Sequence, residues 1–261
     1  MPAIHRHAHD YRRLIRRWRK VARKSGLAMR LLCEAGGHPI YALAPVRSSP
    51  GPRMYFSAGI HGDEPAATEG LVTWAETHPH LLRAIGPLIF PCLNPWGLMN
   101  NSRFDQDGRD LNRCYNKRNV PVVVAQSQLM AGVHFDLAIA LHEDFDAHGI
   151  YIYEISRRRP FLAEELILAA SPHLPVDPRS RIEGRRANRG VIRRRITPDL
   201  MPDWPEAFAL HFGGSARTLT IETPSEFDLD ARTAAQVAMV DHAARRCLSE
   251  LQEDVQSAIS A

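Results

Sequence analysis

The 261-residue chain contains only four cysteines, and no two of them form a CxxC pair. This scatter argues against a disulfide scaffold or a cysteine zinc site, so we expect reduced and mostly buried thiols. The sequence also lacks any run of about 18 consecutive apolar residues, and it therefore predicts no membrane-spanning helix. Charged residues stand near the N-terminus where a signal peptide would be apolar, which favours a cytoplasmic protein.

Charge is distributed unevenly along the chain. The first 30 residues carry ten Lys and Arg against one acid, and residues 157–195 carry eleven Arg against four acids. These two segments have net charges of +9 and +7, so the rest must carry −12 to give the total of +4. Basic clusters invite an anionic partner such as a nucleic acid. No aromatic RNA-binding pattern is interleaved with them, which argues against that partner.

The N-terminal basic segment, residues 1–25, has the periodicity of an amphipathic helix. Its arginines fill one face, so we predict a helix that docks through its apolar face and turns its charges to water. The apolar stripe consists of Tyr11, Leu14, Ile15, Trp18, Val21 and Ala22.

Predicted strands alternate with predicted helices along the chain. This pattern is typical of an α/β fold with a mostly parallel sheet covered on both faces. We expect one domain over residues 1–261, with an irregular Arg- and Pro-bearing insertion at 171–205. The main predicted strands are 29–34, 39–44, 53–60, 88–93, 137–142, 150–155 and 218–222. The predicted helices after the first are 65–78, 126–131, 159–170 and 231–252.

Metal-ligating residue types follow two of the predicted strands. His61 comes directly after a buried strand and Glu64 three residues later, a spacing that lets both side chains reach one metal ion. The pattern is common by chance, and Glu64 could equally stabilise a helix N-terminus. His142 ends another apolar strand, and a His-Glu-His set leaves one coordination position open, as in catalytic zinc sites. Three rival histidines end no comparably clear strand: His134, His148 and His211.

Further polar groups are expected at the same sheet edge. Glu222 ends the apolar strand TLTIE, where a carboxylate is costly unless it is used or paired. We interpret it as a general base, with a structural ion pair as the alternative. Arg103, Asn112 and Arg113 lie in a turn-rich segment after another strand, and their donors suit a carboxylate or an oxyanion.

The motifs occur together in the order seen in one family. The sequence resembles the M14-type zinc carboxypeptidases, in the compact bacterial branch related to succinylglutamate desuccinylases and aspartoacylases. It departs from the usual NPDG pattern by having Trp96 in place of the acid. The motifs are GIHGDE at 59–64, NPWG at 94–97, RFDQDGRDLNR at 103–113, LHED at 141–144 and TIETPS at 220–225.

This resemblance implies a fold and a role for each site residue. The fold would be a three-layer α/β/α sandwich around a mixed, mainly parallel eight-stranded sheet. One Zn²⁺ per chain would be bound by His61, Glu64 and His142. Glu222 would be the general acid/base, Arg103 would stabilise the oxyanion, and Asn112 with Arg113 would hold the substrate's terminal carboxylate.

The implied function is hydrolysis of a peptide or amide bond next to a free carboxylate by metal-activated water. The alternative is an N-acyl amino acid deacylase of the succinylglutamate desuccinylase/aspartoacylase type. The partner would be a small peptide or an N-acyl amino acid. A non-catalytic binding protein is disfavoured, because the ligands and the base are all present.

Some assignments stay open at this stage. Tyr151 and Tyr153 are both candidates for a tyrosine that closes over the substrate, although at least one is expected to pack in the core. Glu143 and Asp144 are candidates either to orient ligands or to form salt bridges. We expect the 157–195 segment to lie over the cleft, where Arg193, Arg194 and Arg195 would help to recognise acidic substrate groups.

Overall fold

A central sheet of eight strands organises the chain in the computed structural model, which describes residues 7–47 and 49–260. The strands are β1 (Leu27–Ala35), β2 (His38–Pro45), β3 (Arg53–Ser57), β4 (Gly86–Phe90), β5 (Leu137–Asp144), β6 (Tyr151–Ser156), β7 (Arg181–Ile182), β8 (Arg185–Arg186), β9 (Val191–Arg193) and β10 (Arg217–Pro224). The helices are α1 (Tyr11–Ser25), α2 (Pro65–Thr77), α3 (Pro79–Ala84), α4 (Pro95–Asn100), α5 (Pro121–Met130), α6 (Ala163–Ala170), α7 (Glu206–Phe212) and α8 (Leu229–Ser260).

The strand order in the main sheet is β1-β2-β4-β3-β5-β10-β6-β9. Strands β4, β3, β5 and β10 run parallel in the centre, and β9 pairs in parallel with β6 at one edge. The β1–β2 hairpin is antiparallel, as are the β2–β4 and β6–β10 pairs. The predicted mixed, mainly parallel eight-stranded sheet is therefore confirmed.

Helices cover both faces of the sheet. Met54 and Phe56 on β3 face a core that also contains Trp74 of α2 and residues of α1, α6 and α8. Tyr55, which lies between them, faces the opposite core beside residues of α5 and α7, such as Val123. Successive side chains alternate between the two faces of a strand, so a strand covered on both faces becomes a continuous apolar run. This explains why the central strands could be recognised from the sequence.

The N-terminal basic segment forms a docked helix, as predicted. The Asp10 side chain accepts a hydrogen bond from the Arg13 backbone N–H (2.8 Å) and caps α1, and Gly26 ends the helix at φ 69°. All six residues of the predicted apolar stripe are buried. Residues 1–6 of the predicted 1–25 segment lie outside the described residues. None of the helices in the described part of the chain combines the length and hydropathy that a membrane crossing needs.

Two expectations about residues 159–205 need correction. The helix predicted over 159–170 begins only at Ala163, because Pro160 restricts the preceding Arg159 to extended conformations. The predicted irregular insertion at 171–205 contains the short β7–β8 hairpin and the edge strand β9. The four cysteines are free, as expected, and three are buried, Cys33 being the half-buried exception.

Candidate metal centre and active site

His61, Glu64 and His142 converge at one edge of the sheet. His61 lies in the turn after β3, Glu64 directly precedes α2, and His142 is near the end of β5. Because β3 and β5 are parallel neighbours, their carboxyl ends reach the same edge. His61 Nδ1 is 2.5 Å from Glu64 Oε1, and His142 Nδ1 is 2.9 Å from Glu64 Oε2. One ligand atom from each residue lies within 4.8 Å of the others, and all three residues are buried.

The charges of this cluster favour a cation between its members. Burial disfavours the charged imidazole, yet the adjacent Glu64 carboxylate raises the pKa of His61 to about 9 and raises that of His142. Burial likewise opposes the charge on Glu64, but the two imidazoles lower its pKa to about 2. Two imidazole nitrogens and a carboxylate oxygen are a donor set that fits a divalent metal ion. The rivals His134, His148 and His211 lie outside this cluster.

Asp110 orients the cluster, and the sequence reasoning did not single it out. His61 Nε2 is 3.1 Å from Asp110 Oδ1, and Arg103 Nη2 donates to Asp110 Oδ2 at 2.9 Å. Burial opposes its charge, but His61 and Arg103 hold the pKa of Asp110 well below its usual range. A carboxylate bound to the far nitrogen of a ligating imidazole fixes the tautomer and the ring orientation. The only sequence signal for Asp110 was its position between Arg103 and Asn112, which it shares with two other acids of the 103–113 motif.

Arg103 brings a positive charge to the edge of the metal cluster. Its Nη1 lies 3.3 Å from His61 Nδ1 and 3.8 Å from Glu64 Oε1. Asp110 holds the other side of the guanidinium, which remains partly exposed. This fixed guanidinium can donate to an anionic group bound next to the His61–Glu64–His142 cluster.

Glu222 stands next to His142 across the β10–β5 ladder. The two residues are direct register partners, and Glu222 is half-buried on the wall of a cavity. Within the described residues its carboxylate makes no hydrogen bond or ion pair, so the alternative of a structural ion pair is not observed. Burial raises the pKa of Glu222 well above its usual range; His142 opposes this rise, and the negative charges of Glu64, Glu183 and Asp144 reinforce it.

One cavity of about 350 Å³ brings the predicted site residues together. Its walls come from the ends of the central strands, from the 103–113 segment, from the β7–β8 hairpin and from the start of α7. The predicted residues on this cavity are His61, Glu64, Arg103, Asn112, Arg113, His142, Tyr151, Tyr153 and Glu222.

Comparisons with known proteins place this geometry in a family context. Residues 50–177 match the family model of the succinylglutamate desuccinylase/aspartoacylase catalytic domain. That match covers just under half of the chain and shows a similarity to this catalytic domain. The resemblance drawn from the motifs is thus confirmed. A comparison with curated protein sequences found no match.

Solved structures share the fold of this chain at low sequence identity. A Shewanella denitrificans protein provisionally named a metallopeptidase is 21% identical, with a TM-score of 0.82 and 92% of each chain covered. A metallo-carboxypeptidase from Burkholderia cenocepacia is 17% identical, with a TM-score of 0.66, over 92% of this chain and 69% of that one. A Pseudomonas aeruginosa metallo-carboxypeptidase, solved with (2-guanidinoethylmercapto)succinic acid, is 19% identical over 88% and 67% of the chains, with a TM-score of 0.59.

The two candidate tyrosines on the cavity differ in their surroundings. Tyr151 is only 1% exposed, and its hydroxyl donates to Asp144 at 2.8 Å. Tyr153 is half-buried, and its hydroxyl donates to Glu183 at 2.6 Å. Tyr151 is therefore part of the packed cavity wall, and Tyr153 is the more accessible of the two.

The acids that follow His142 have separate roles. Asp144 accepts the hydrogen bond of the tyrosine hydroxyl described above. Glu143 pairs with Arg232 and accepts a hydrogen bond from the Ala66 backbone N–H at 2.7 Å. Glu143 thereby ties the start of α2, which follows Glu64, to α8, and it forms the salt bridge that was one of the two alternatives.

The three consecutive arginines at the end of the Arg-rich segment do not act together. Arg194 lines the cavity, and so does Arg185 of the β7–β8 hairpin. Arg193 instead donates to Glu154 at 2.7 Å and to Glu164 at 2.5 Å, on the other side of β9. Arg195 lines a separate groove, to which Arg193 and Arg194 also contribute. Of the three, only Arg194 also lines the cavity with the His61–Glu64–His142 cluster, because successive side chains of an extended segment point in opposite directions. The expectation that all three face this cavity is therefore corrected.

Proposed function

We propose that this protein is a zinc-dependent hydrolase that cleaves a peptide or amide bond next to a free carboxylate. The observation that carries this proposal is the position of Glu222. A half-buried carboxylate without a hydrogen-bonding or ion-pairing partner among the described residues lies directly beside His142, on the cavity that also contains the His61–Glu64–His142 cluster. An unpaired acid with a raised pKa next to a metal-ligand set is characteristic of a proton-transferring group.

His61, Glu64 and His142 are the residues that would hold the metal. When bound there, Zn²⁺ would supply Lewis-acid polarisation of the scissile carbonyl and a lowered pKa for water. With the metal bound, Asp110 would accept the Nε2 proton of His61 and so leave Nδ1 as the ligating nitrogen.

Glu222 and Arg103 would handle the proton and the developing charge. Glu222 takes a proton from the attacking water and passes it to the leaving amine. A carboxyl group whose pKa is raised by burial holds such a proton more readily than an exposed one. Arg103 donates to the oxyanion from its position beside His61 and Glu64.

Asn112 and Arg113 would bind the free carboxylate of the substrate. Both line the cavity, and both offer N–H donors. A guanidinium fork and an amide NH₂ group suit a carboxylate, which can only accept hydrogen bonds. Tyr153 lines the same cavity and would contact the remainder of the substrate.

Hydrolysis of an N-acyl amino acid is the second candidate function. The match of residues 50–177 to the succinylglutamate desuccinylase/aspartoacylase catalytic domain supports this substrate class. The shared fold with metallo-carboxypeptidases supports a small peptide. Both reactions use the same metal ligands, base and carboxylate-binding residues, so they differ only in the acyl group that the cavity accepts.

The test combines metal analysis with a substrate panel. We expect about one zinc ion per chain in the wild type and in Glu222→Gln, because the substituted side chain is not one of the three ligands. Against short peptides and N-acyl amino acids, Glu222→Gln should lower kcat by about 10²–10⁴-fold. Glu226→Gln, which changes an exposed acid four residues further on, is the matched control. Absence of zinc, or unchanged hydrolysis by Glu222→Gln, would refute the proposal.

A further inference from the structure

Glu206 is a buried carboxylate at the first position of α7, with 1% of its surface exposed. Its Oε1 accepts hydrogen bonds from the Tyr55 hydroxyl (2.5 Å) and Gln126 Nε2 (2.7 Å). The Tyr115 hydroxyl lies 3.0 Å from the same oxygen and 2.5 Å from Gln126 Oε1, to which it donates its single proton. Glu206 Oε2 accepts one from the Ser57 hydroxyl (2.7 Å). Among the described residues, no cationic side chain pairs with Glu206. Three neutral donors therefore compensate this buried negative charge.

The hydrogen bonds to the Glu206 carboxylate fix the position of the backbone at the start of α7. A buried carboxylate without a cation is tolerated only when hydrogen bonds satisfy its oxygens, and each lost donor is costly. Here the donors come from β3 and from α5. Burial and the adjacent charge raise the pKa of Tyr55 and of Tyr115 well above the usual range, so both hydroxyls remain donors. Glu206 thus attaches the start of α7 to the central sheet.

The start of α7 in turn holds Asn112. The backbone N–H of Glu206 donates to Asn112 Oδ1 at 2.8 Å. This bond identifies the oxygen end of the amide and leaves Nδ2 as its free donor, since within the described residues Nδ2 reaches no protein acceptor. Arg113 Nη1 donates to the Asn112 backbone carbonyl at 2.8 Å, so the Arg113 side chain is held against the backbone that carries Asn112.

We propose that Glu206 is a positioning residue that aims the Asn112 Nδ2 donor, with Arg113 beside it, at a substrate carboxylate. It acts through the start of α7 and touches no substrate itself. This inference rests on the proposed function, in which Asn112 and Arg113 receive that carboxylate. Nothing in the sequence around Glu206 singled it out, because all of its hydrogen-bonding partners lie between 80 and 151 residues away along the chain.

A kinetic double-mutant cycle tests whether Glu206 acts through Asn112. For a substrate with a free carboxylate, Glu206→Gln should raise KM about tenfold or more and change kcat by less than about twofold, as expected when one hydrogen bond to a charged group is weakened. In an Asn112→Ala background, Glu206→Gln should add almost nothing. Additive effects, or a fall in kcat at unchanged KM, would overturn the inference.

A binding experiment tests the same point without turnover. The Nδ2 ¹H–¹⁵N signals of Asn112, assigned by their loss in Asn112→Asp, are followed in the metal-loaded protein during titration with N-acetylglycine or N-acetylglycinamide. We expect the free acid, but not the amide, to shift the wild-type signals. Glu206→Gln should weaken binding of the acid about tenfold. Unmoved wild-type signals, or equal affinity in the variant, would overturn the inference.

A matched control separates positioning from general loss of stability. Glu250 is also a buried carboxylate, but it pairs with Arg217 away from the cavity. Glu250→Gln should lower the melting temperature and leave KM and N-acetylglycine affinity unchanged. Should Glu206→Gln fold poorly, Tyr55→Phe removes one donor to the same carboxylate and should shift KM in the same direction. A KM rise of the same size in Glu250→Gln would count against positioning.

The two proposals can fail separately. If no peptide or N-acyl amino acid is hydrolysed while N-acetylglycine still shifts the Asn112 signals in a Glu206-dependent way, the proposed function fails and the positioning role stands. If hydrolysis depends on Glu222 while Glu206→Gln behaves as wild type in both experiments, only the positioning role fails.

Discussion

Nε2 of His61 lies 3.1 Å from Oδ1 of Asp110, while Nδ1 of the same ring faces Glu64 at 2.5 Å. The imidazole is therefore held from both sides. With the proton on Nε2 donated to Asp110, the Nδ1 lone pair remains available to a metal. Asp110 also holds Arg103, so one carboxylate orients both a metal ligand and the proposed oxyanion donor.

Substitution of Asp110 by Asn should weaken metal binding without removing a ligand. Loss of the charged acceptor leaves the His61 ring less strongly oriented, and we expect about a 10–100-fold lower affinity for zinc. Competition with a chromophoric chelator measures this change. Asp107→Asn is the control, because Asp107 is an exposed acid of the same segment that pairs with Arg109. An Asp110→Asn protein with wild-type affinity would show that the imidazole needs no such partner.

Gly62 holds the turn that contains His61 against α4, the short helix that follows β4. A Cβ atom on Gly62 would lie 1.9 Å from the carbonyl carbon of Gly97 and 2.1 Å from the backbone nitrogen of Leu98. Backbone atoms cannot yield as a side chain can, so Gly62→Ala must separate the turn from α4 and move His61.

We expect Gly62→Ala to lower the free energy of unfolding by about 1–3 kcal/mol and to weaken zinc binding as well. Urea denaturation and the chelator competition measure the two effects. Gly86→Ala is the control, since the nearest atom to its Cβ would be 3.7 Å away. Equal stability and metal affinity in the two variants would mean that the turn containing His61 can move away from α4 without loss of stability.

The proximity of His61 and His142 could be predicted because each comes at the end of a strand. His61 and His142 come after apolar runs, and the carboxyl ends of parallel neighbouring strands necessarily share an edge. Glu222 could be found in the same way at the end of β10. The stripe of α1 was equally predictable, because a single helix face determines which residues are buried.

The remaining cavity residues depend on contacts that no local pattern encodes. Arg185 reaches the cavity on a two-residue strand of a hairpin, which is too short to give a periodic signal. Glu206 lies on a short helix and finds its partners on β3 and α5. The division among Arg193, Arg194 and Arg195 follows from the pairing of β9 with β6, which the sequence does not specify.

Arg194 should contribute to recognition of acidic substrates, whereas Arg193 should not. Arg194 is half-buried on the cavity and has no hydrogen bond or ion pair within the described residues. Burial and the nearby Arg185 lower its pKa, so a bound anion would relieve this unfavourable charge. Arg193 is already engaged by Glu154 and Glu164.

We expect Arg194→Ala to raise KM about tenfold for a substrate with a glutamate side chain and much less for its glutamine analogue. Arg193→Ala should leave the ratio of the two KM values unchanged. It should lower stability, since it leaves the buried Glu154 without its cationic partner. The ratio of the two KM values in each variant is the measurement. An unchanged ratio in Arg194→Ala would exclude this arginine from side-chain recognition.

Trp18 tests whether the N-terminal helix is part of the folded core. Its side chain is fully buried (0% exposed) in the core shared with α2 and β3, and the neighbouring Arg17 donates to Glu69 and Glu76 of α2. Trp18→Ala should therefore reduce the free energy of unfolding by about 3–5 kcal/mol in urea denaturation. Arg16→Ala, on the exposed face of the same helix, should change it by less than about 0.5 kcal/mol. If the N-terminal helix were instead a separate basic arm, its apolar stripe would pack against no core, and Trp18→Ala would leave the free energy of unfolding unchanged.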